Sequence, residues 1–584
     1  MSFKYALDPA WQEPLPVLGE VVQLFKKELS LPTLLCRLLI ARGYEDPEVA
    51  KDYLRLSLDK LEDARTLTGI TEASERLSKA IRNREKILVH GDYDVDGVVG
   101  TALITRWIQR LGGYCVPFIP NRLTDGYDFG PAGLRRAIEL KAQLILTVDS
   151  GIRAHEMVSQ ANENGIEVII TDHHVPGDSL PNASSIVNPN RSDCKYTNKG
   201  LCGTGVVYRL CEVLADDFDV SDEDLRGYLD FVALATIADV VPLTTENRTF
   251  VRFGLHVLKH SPNCGLKALM NMISRDNHAL TSGYLAFQVA PRINAAGRMG
   301  EVKTALGLLM EDDPKFAREN SLKLESENVK RKREESVIME QALVSLEQTF
   351  DPQRDYGVVL SGEDWHPGVI GIVASRIAEL LNRPTVVISL NDQKGRGSAR
   401  SIPGFDLLSV LNICSGHLEK FGGHRAAAGL TICASEIDAF KRAFNLEASQ
   451  HVKGQDLRPI LKPDLEIQLS EINQRTFDLL SYFGPFGISN STPLFLARNV
   501  KLVGPVKKVG KNHLRLRVEE QGHKFDAVGF NLTDRIPPKS VKSPVDIVFK
   551  LKENLFRGVS RIELQVMDLR PSEGPHKPIS LVYS

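Results

Sequence analysis

Eight consecutive residues, His90-Gly91-Asp92-Tyr93-Asp94-Val95-Asp96-Gly97, place three aspartates at alternate positions behind a histidine. Ionised together with nothing positive among them, the three carboxylates repel one another. Hard carboxylate oxygens with an imidazole nitrogen suit a small divalent cation, Mn²⁺ or Mg²⁺, better than a thiolate-type zinc site. Taken alone, the octet favours a metal only slightly over a solvated acidic turn. More candidate ligands recur downstream. Asp149 follows the apolar run Leu144–Val148, Asp172-His173-His174 follows Val168–Ile170, and Asp239 ends the apolar stretch Phe231–Ala238. A buried carboxylate is rare unless it is paired or bound to metal, so acids at the ends of apolar runs need partners. Together they point to a metal centre.

The elements around these residues explain how they can meet. Ile87–Val89, Tyr114–Ile119, Leu144–Val148 and Glu167–Ile170 are short apolar runs separated by helical stretches. That alternation predicts βαβ units and a mainly parallel sheet. In such sheets ligands collect beyond the carboxyl ends of the strands, which is where the acids fall.

At 584 residues the chain is too long for one core. Residues 1–78 read as short helices without chemistry: Leu34, Leu35, Leu38 and Leu39 recur at helical spacing, and Asp46-Pro47 suits a helix start. The α/β pattern above occupies 79–305. Within 306–353, Lys315–Gln348 lacks Pro and Gly and predicts one long helix or two collinear ones. Its cluster Lys330-Arg331-Lys332-Arg333, answered by Glu334-Glu335, reads as a solvated face. A second α/β domain is expected over 354–455. Its glycine loops Lys394–Arg400 and Phe421–Arg425 are able to bring amides and arginines to a phosphate, but taken alone they are as easily ordinary turns. Over 460–570, five strands in about a hundred residues fit a small barrel of the oligonucleotide-binding type, followed by a tail, 571–584. Seven Lys or Arg residues and no acid lie between Arg498 and Arg517, the pattern of a groove that tracks phosphates. Phe525 and Phe530 nearby are either core or stacking platforms, and core is the expectation for each.

Net charge is −2, so any nucleic-acid contact must come from such local surfaces and not from a global field. The eight cysteines include no CxxC pair and read as reduced, mostly buried thiols. Met1–Pro16 lacks a signal-peptide pattern, and no apolar run approaches the ~20 residues that span a bilayer. A cytoplasmic protein is expected.

These residues resemble the DHH phosphoesterase superfamily, and within it the single-strand-specific exonucleases. The resemblance rests on HGDYDVDG at 90–97, TVDSG at 147–151, TDHH at 171–174, ATIADVVPL at 235–243 and RINAAGRM at 292–299. WHPGVIGIVASR at 365–376, GSARS at 397–401, FGGHRAAAG at 421–429 and the barrel opening near FGPFG at 483–487 extend it over nearly the whole chain. It implies a parallel-sheet DHH domain over 79–305, a long connecting helix, a DHH-associated (DHHA1) α/β domain and an OB-fold barrel. By resemblance, His90 and Asp94 hold one metal, Asp96, His173 and Asp239 the other, and Asp149 bridges. His174 and Arg298 neutralise the scissile phosphate, and Asp92 supports catalysis by holding a ligand in place. Arg122, Ser398, Arg400 and His424 bind substrate, gripping its 5′-terminal phosphate. The implied activity is Mn²⁺- or Mg²⁺-dependent 5′→3′ hydrolysis of single-stranded DNA in repair and recombination. A single-strand-binding protein and a RecQ-type helicase are the implied partners. Relatives that cleave short oligoribonucleotides, cyclic dinucleotides or pyrophosphate lack the basic barrel. A non-catalytic replication scaffold has no need of the full ligand set found here.

Overall fold

The computed structural model describes residues 7–572 apart from Leu123, Tyr127, 274–279 and 557–558. The chain forms two compact units, one of Leu56–Glu334 with Gly484–Ser491, the other of Met1–Arg55, Glu335–Phe483 and Thr492–Ser584.

The first unit is built on five strands: β1 (Lys86–Gly91), β2 (Tyr114–Phe118), β3 (Leu144–Val148), β4 (Glu167–Thr171) and β5 (Ser185–Val187). They lie in the order β2-β1-β3-β4-β5, and every pair is parallel, as the alternating pattern predicts. Ile87, Leu88, Val89 and all of β3 are buried, as strands covered on both faces must be. The register is what matters for chemistry. Gly91 lies opposite Val148, and Val148 opposite Thr171, so Asp92, Asp149 and Asp172 leave three adjacent strands at one level. Behind β1 runs α1 (Val95–Arg110), apolar nearly all round and buried along most of its length. Further helices complete the unit, among them α2 (Gly203–Asp217), α3 (Leu229–Ala238) and α4 (Ala290–Met299).

The predicted long helix is a single one, α5 (Pro314–Thr349), 36 residues and about 54 Å long. Its charged cluster is not wholly solvated, contrary to expectation. Arg331 is buried and donates to Asn328 Oδ1 at 2.9 Å, and buried Glu335 pairs with Arg376 at 2.6 Å. Lys332 and Arg333 are exposed.

In the second unit, β6 (Val358–Glu363), β7 (Thr385–Asn391), β8 (Lys394–Arg400), β9 (Lys420–Gly423) and β10 (Ala427–Cys433) form a mixed sheet ordered β9-β10-β8-β7-β6. Only β6 and β7 are parallel, joined through α6 (Ile370–Leu381). Beyond it, β11 (Phe495–Leu502), β12 (His513–Glu520), β13 (His523–Gly529), β14 (Val545–Phe556) and β15 (Val559–Pro571) pair in a closed ring β11-β14-β15-β13-β12-β11. This is the expected barrel. The amino-terminal segment packs within the same unit: Ala10–Trp11 pairs with Ile460–Leu461, and Trp11 donates to Asp568 at 2.7 Å. Asp46 caps the helix Pro47–Leu54 by accepting from the Glu48 amide. No helix among the described residues is long and apolar enough to cross a membrane.

The barrel corrects two expectations. Arg498 is ion-paired with Glu13, Glu466 and Asp546, and Arg517 with Asp526, so two of the seven basic residues are answered by acids outside the 498–517 stretch. Lys501, Lys507, Lys508, Lys511 and Arg515 are exposed. Phe530 is not core. It is 42% exposed, with the Lys552 ammonium 5.4 Å from its ring centre. Deleting the barrel is a poor test of the remaining basic surface. A cut near residue 460 also removes Gly484–Ser491, whose carbonyls accept from Leu243 and Arg248 in the first unit. Replacing Lys507, Lys508 and Lys511 together with Ala leaves the fold alone. If the three contact phosphates, the slope of log affinity against log salt for a single-stranded oligonucleotide falls by about 2, at ~0.7 per contact. An unchanged slope in a fluorescence-anisotropy titration would make them surface only.

Candidate metal centre

The register of β1, β3 and β4 delivers the first acids, and local turns aim them. Asp94 caps α1, its Oδ1 accepting from the Gly97 amide at 3.1 Å. Asp149 has φ +59°, the left-handed region that, after Gly, short polar residues such as Asn and Asp adopt most readily. Its own amide still donates to Thr171 at 2.9 Å, extending the strand register by one residue.

The Asp172-His173-His174 turn separates two histidines by charge. Asp172 is buried, and burial alone would raise its pKa. The hydrogen bond and positive charge of His174 outweigh burial, helped by the His174 amide, and hold Asp172 below the usual carboxylate range. Asp172 Oδ1 accepts from the amides of His173 (2.7 Å) and His174 (3.0 Å) and sits 2.7 Å from His174 Nδ1, while Oδ2 accepts from Ile152 at 3.0 Å. Burial opposes the charged form of His174, but the same bond to Asp172 raises its pKa to about 9. His174 is therefore an imidazolium at neutral pH, with Nδ1 committed to Asp172. Burial dominates at His173 and lowers its pKa, so His173 is neutral and suited to ligation. Its Nε2 lies 3.0 Å from Asp149 Oδ1, 3.6 Å from Asp239 Oδ2 and 3.9 Å from Asp96 Oδ2.

Asp96 and Asp239 arrive from the helical half. Asp96 lies in the first turn of α1, and its two oxygens accept from the first amides of α2, Gly203 (2.6 Å) and Thr204 (2.8 Å). Asp239 is the residue that ends α3, and Val240 after it has φ +62°, strained for a β-branched side chain. Val240 thus bends the chain away at once.

The structure brings together Asp92, Asp94 and Asp149 as one trio, and Asp96, His173 and Asp239 as another. In each, the ligand atoms lie within 4.8 Å of one another. A third trio, Asp149, His173 and His174, has the same spacing, but His174 Nδ1 is already occupied by Asp172. Buried Asp92 Oδ1, Asp149 Oδ1, His173 Nε2 and Asp239 Oδ2 have no hydrogen-bond partner among the described residues. Burial, then the charge of neighbouring aspartates, raises the pKa of Asp92, Asp94, Asp149 and Asp239. Clustered, unsatisfied, mutually repelling oxygens beside a neutral imidazole fit divalent cations. His90 belongs to none of the trios. Both its ring nitrogens are buried without partners, burial holds its pKa down to about 4, and Phe118 and Phe129 flank its ring.

Around the metal loop stand two arginines. The Arg122 guanidinium lies 5.0 Å from the ring centre of Tyr93. Arg298, on α4, acts on Tyr93 through its positive charge, and Gly297 lets α4 approach so closely that a Cβ would lie 2.3 Å from the Tyr93 carbonyl. Ser398 and Arg400 lie in the second unit on β8, where Arg400 Nη1 donates to Ser398 Oγ at 2.9 Å. Gly371 in the first turn of α6 leaves them room, since a Cβ there would be 2.9 Å from both. His424 is exposed beside the β9–β10 turn, and its amide donates to Ala427, the residue opposite Arg400. Sequence reasoning missed two contributors. Asp128, at φ +73°, accepts from the Gly151 amide at 2.6 Å and pins the Arg122 loop to the Asp149 turn. The other is the start of α2 at Asp96, for which Gly-Thr-Gly at 203–205 was the available signal.

Three family models match the chain: DHH family, N-terminal domain, over 86–236; DHHA1 domain over 355–450; and RecJ OB domain over 463–568. Among curated relatives, the single-stranded-DNA-specific exonuclease RecJ of Dickeya dadantii (strain 3937) is 36% identical over 564 residues, 93% of this chain and 96% of that one. RecJ of Bacillus subtilis (strain 168) is 34% identical over 570 residues, 96% of this chain and 71% of that one. A crystal structure of RecJ from Thermus thermophilus in complex with Mn²⁺ superposes with a TM-score of 0.82 at 30% identity, covering 96% of this chain and 80% of that one. The Mg²⁺ complex from the same organism gives 0.76 at 28% identity, covering 96% and 78%.

Because burial and its neighbours raise Asp149, ionising it costs folded-state stability when no cation is bound. Asp149→Asn keeps the side-chain shape, tolerates positive φ and removes that cost. The metal-free variant is expected to melt a few degrees above metal-free wild type at neutral pH, at ~2–4 °C per kcal/mol. Below about pH 4 the carboxyl is protonated whether folded or unfolded, so the advantage vanishes there and grows as pH rises. Mn²⁺ should raise the melting temperature of wild type more than that of the variant. Scanning calorimetry across pH, with and without Mn²⁺, checks both.

Proposed function

The chain belongs to the RecJ family of single-stranded-DNA-specific exonucleases, and from that premise we propose that it is a metal-dependent exonuclease hydrolysing single-stranded DNA from the 5′ end. The observation that carries the reading is Asp149 Oδ1, an unpartnered buried oxygen that belongs to the carboxylate trio and lies 3.0 Å from His173. Asp149 would be the carboxylate shared between two cation positions. Asp92 and Asp94, with His90 behind them, would hold one cation, and Asp96, His173 and Asp239 the other, with Asp149 shared. Two divalent ions, Mn²⁺ or Mg²⁺, supply a water activated for in-line attack and stabilise the leaving oxygen. The protein's own groups do the rest. His174 keeps its Nδ1 proton on Asp172 and presents positive charge to the scissile phosphate, a role Arg298 shares. Arg122, steadied on the Tyr93 ring, holds a substrate phosphate beside the metal loop.

Polarity needs a group that recognises an end, because two metals cleave any phosphodiester presented in line. In the second unit, Ser398 and Arg400, with His424 nearby, offer a hydroxyl and a guanidinium to a terminal phosphate, whose greater charge and free oxygens favour it over an internal one. This reading implies a cytoplasmic enzyme of DNA repair and recombination that works with a single-strand-binding protein and a RecQ-type helicase.

End-labelled single- and double-stranded oligonucleotides with and without Mn²⁺ test the activity. Degradation confined to single strands and to metal is expected, and equal degradation of duplex would overturn specificity. Asp149→Ala should lower hydrolysis by at least about 10²-fold, the scale of losing one preorganised electrostatic group, while single-strand binding persists. Arg400→Ala should lower the preference for a 5′-phosphate over a 5′-hydroxyl by roughly tenfold, since a hydrogen bond to a charged group contributes ~1.5 kcal/mol or more. An unchanged preference leaves polarity to other residues.

A further inference from the structure

The ligands Asp96, Asp149 and Asp239 come from three separate elements, yet three consecutive residues touch all three carriers. We propose that Cys202-Gly203-Thr204, at the start of α2, is the positioning element that sets the spacing of the metal ligands. The proposal rests on the metal centre assigned above but not on which nucleic acid is cleaved. Thr204 grips Asp96 twice: its amide donates to Oδ1 at 2.8 Å and its hydroxyl to the Asp96 carbonyl at 2.9 Å. The Gly203 amide donates to the second Asp96 oxygen at 2.6 Å. Asp96 is thereby fixed in rotamer, with only the remaining lone pair of each oxygen free for a cation.

Gly203 acts on Asp149 by what it lacks. Its φ is not in the left-handed region, so backbone freedom does not explain a glycine here. Space does. A Cβ on residue 203 would lie 2.6 Å from Asp149 Cβ, 2.8 Å from Oδ1 and 2.9 Å from Cα. Because Cα is among the clashing atoms, no rotation of the Asp149 side chain relieves the contact. The residue itself must shift, and with it Oδ1, the unpartnered atom of the carboxylate that the reading above assigns to both cation positions. Cys202 completes the link. Its Sγ accepts from the Gly205 amide at 3.3 Å, closing the first turn of α2, and lies 3.6 Å from Thr236 Oγ1 on α3, three residues before Asp239. The thiol is fully buried, so it packs the two helices together and stays out of solvent chemistry.

Calorimetric titration of chelator-stripped full-length protein with Mn²⁺ tests this directly. Gly203→Ala should weaken Mn²⁺ binding by about 10–100-fold, the range seen when groups that orient metal ligands are lost. Thr204→Val, which removes the hydroxyl at constant size, should weaken it by about tenfold, and Thr204→Ser should restore it. Binding of a single-stranded oligonucleotide in EDTA should be the same in all four proteins. Circular dichroism and metal-free melting accompany each titration. If Gly203→Ala does not fold, the Thr204 pair decides. Lower melting temperatures with unchanged Mn²⁺ affinity would overturn the proposal, because the triplet would then be packing alone. Normal Mn²⁺ binding in a wild-type chain that degrades no single-stranded DNA would overturn the assigned function and leave this inference standing.

Discussion

Asp92, Asp94, Asp149 and Asp239 are held above the ordinary carboxylate range first by burial and then by one another's charge. At ~4 Å and an effective dielectric constant of ~20, a like-charged pair costs about 4 kcal/mol. A few such pairs match the whole net stability of a domain, typically ~5–15 kcal/mol. The first unit is arranged to survive that repulsion. Parallel strands fix where three acids emerge, helix ends supply amides to Asp94 and Asp96, and the imidazolium of His174 sits among the carboxylates. Among the atoms left unsatisfied are oxygens of Asp92, Asp149 and Asp239 and the Nε2 of His173, a set that divalent cations suit.

The second unit handles charge in the opposite sense. Its mixed sheet carries Ser398 and Arg400 on one face at alternate positions, and its barrel carries exposed lysines between β11 and β12. The clustered carboxylates and the Ser398–Arg400 pair thus rest on different scaffolds, each with its own core. Arg498 shows how the barrel separates structural from free charge. Three acids surround it, so it holds Glu13 of the amino-terminal segment to the sheet and has little left for a phosphate.

Much of this was legible in the chain because the relevant signals are local. An apolar run that stops at an acid marks a strand and its carboxyl end together, and the β1, β3 and β4 acids are all of that kind. The uninterrupted helix-forming stretch after Asp313 announces α5. What stayed hidden depends on partners far away in sequence. Arg498 looked unpaired because Glu13 lies 485 residues away. Arg331 and Glu335 looked solvated because charge alternation says nothing about which helix packs against them. Phe530 looked like core because a strand pattern runs up to it, but β13 ends one residue earlier. Gly-Thr-Gly at 203–205 marked the place but not the role of Gly203, since a glycine required for space looks the same as one required for a turn.

The interleaving of the two units bears on how the chain is made. The first unit is not complete until Gly484–Ser491 has been synthesised, and the second needs Met1–Arg55 at one end and the barrel at the other. Domains that are continuous in sequence can fold one after another as they leave the ribosome. Here the first 55 residues emerge long before the strand and barrel residues they pack against, including Ile460–Leu461 and Asp568. The exposed apolar side chains of that segment must therefore be kept from aggregating while most of the polypeptide is still being translated.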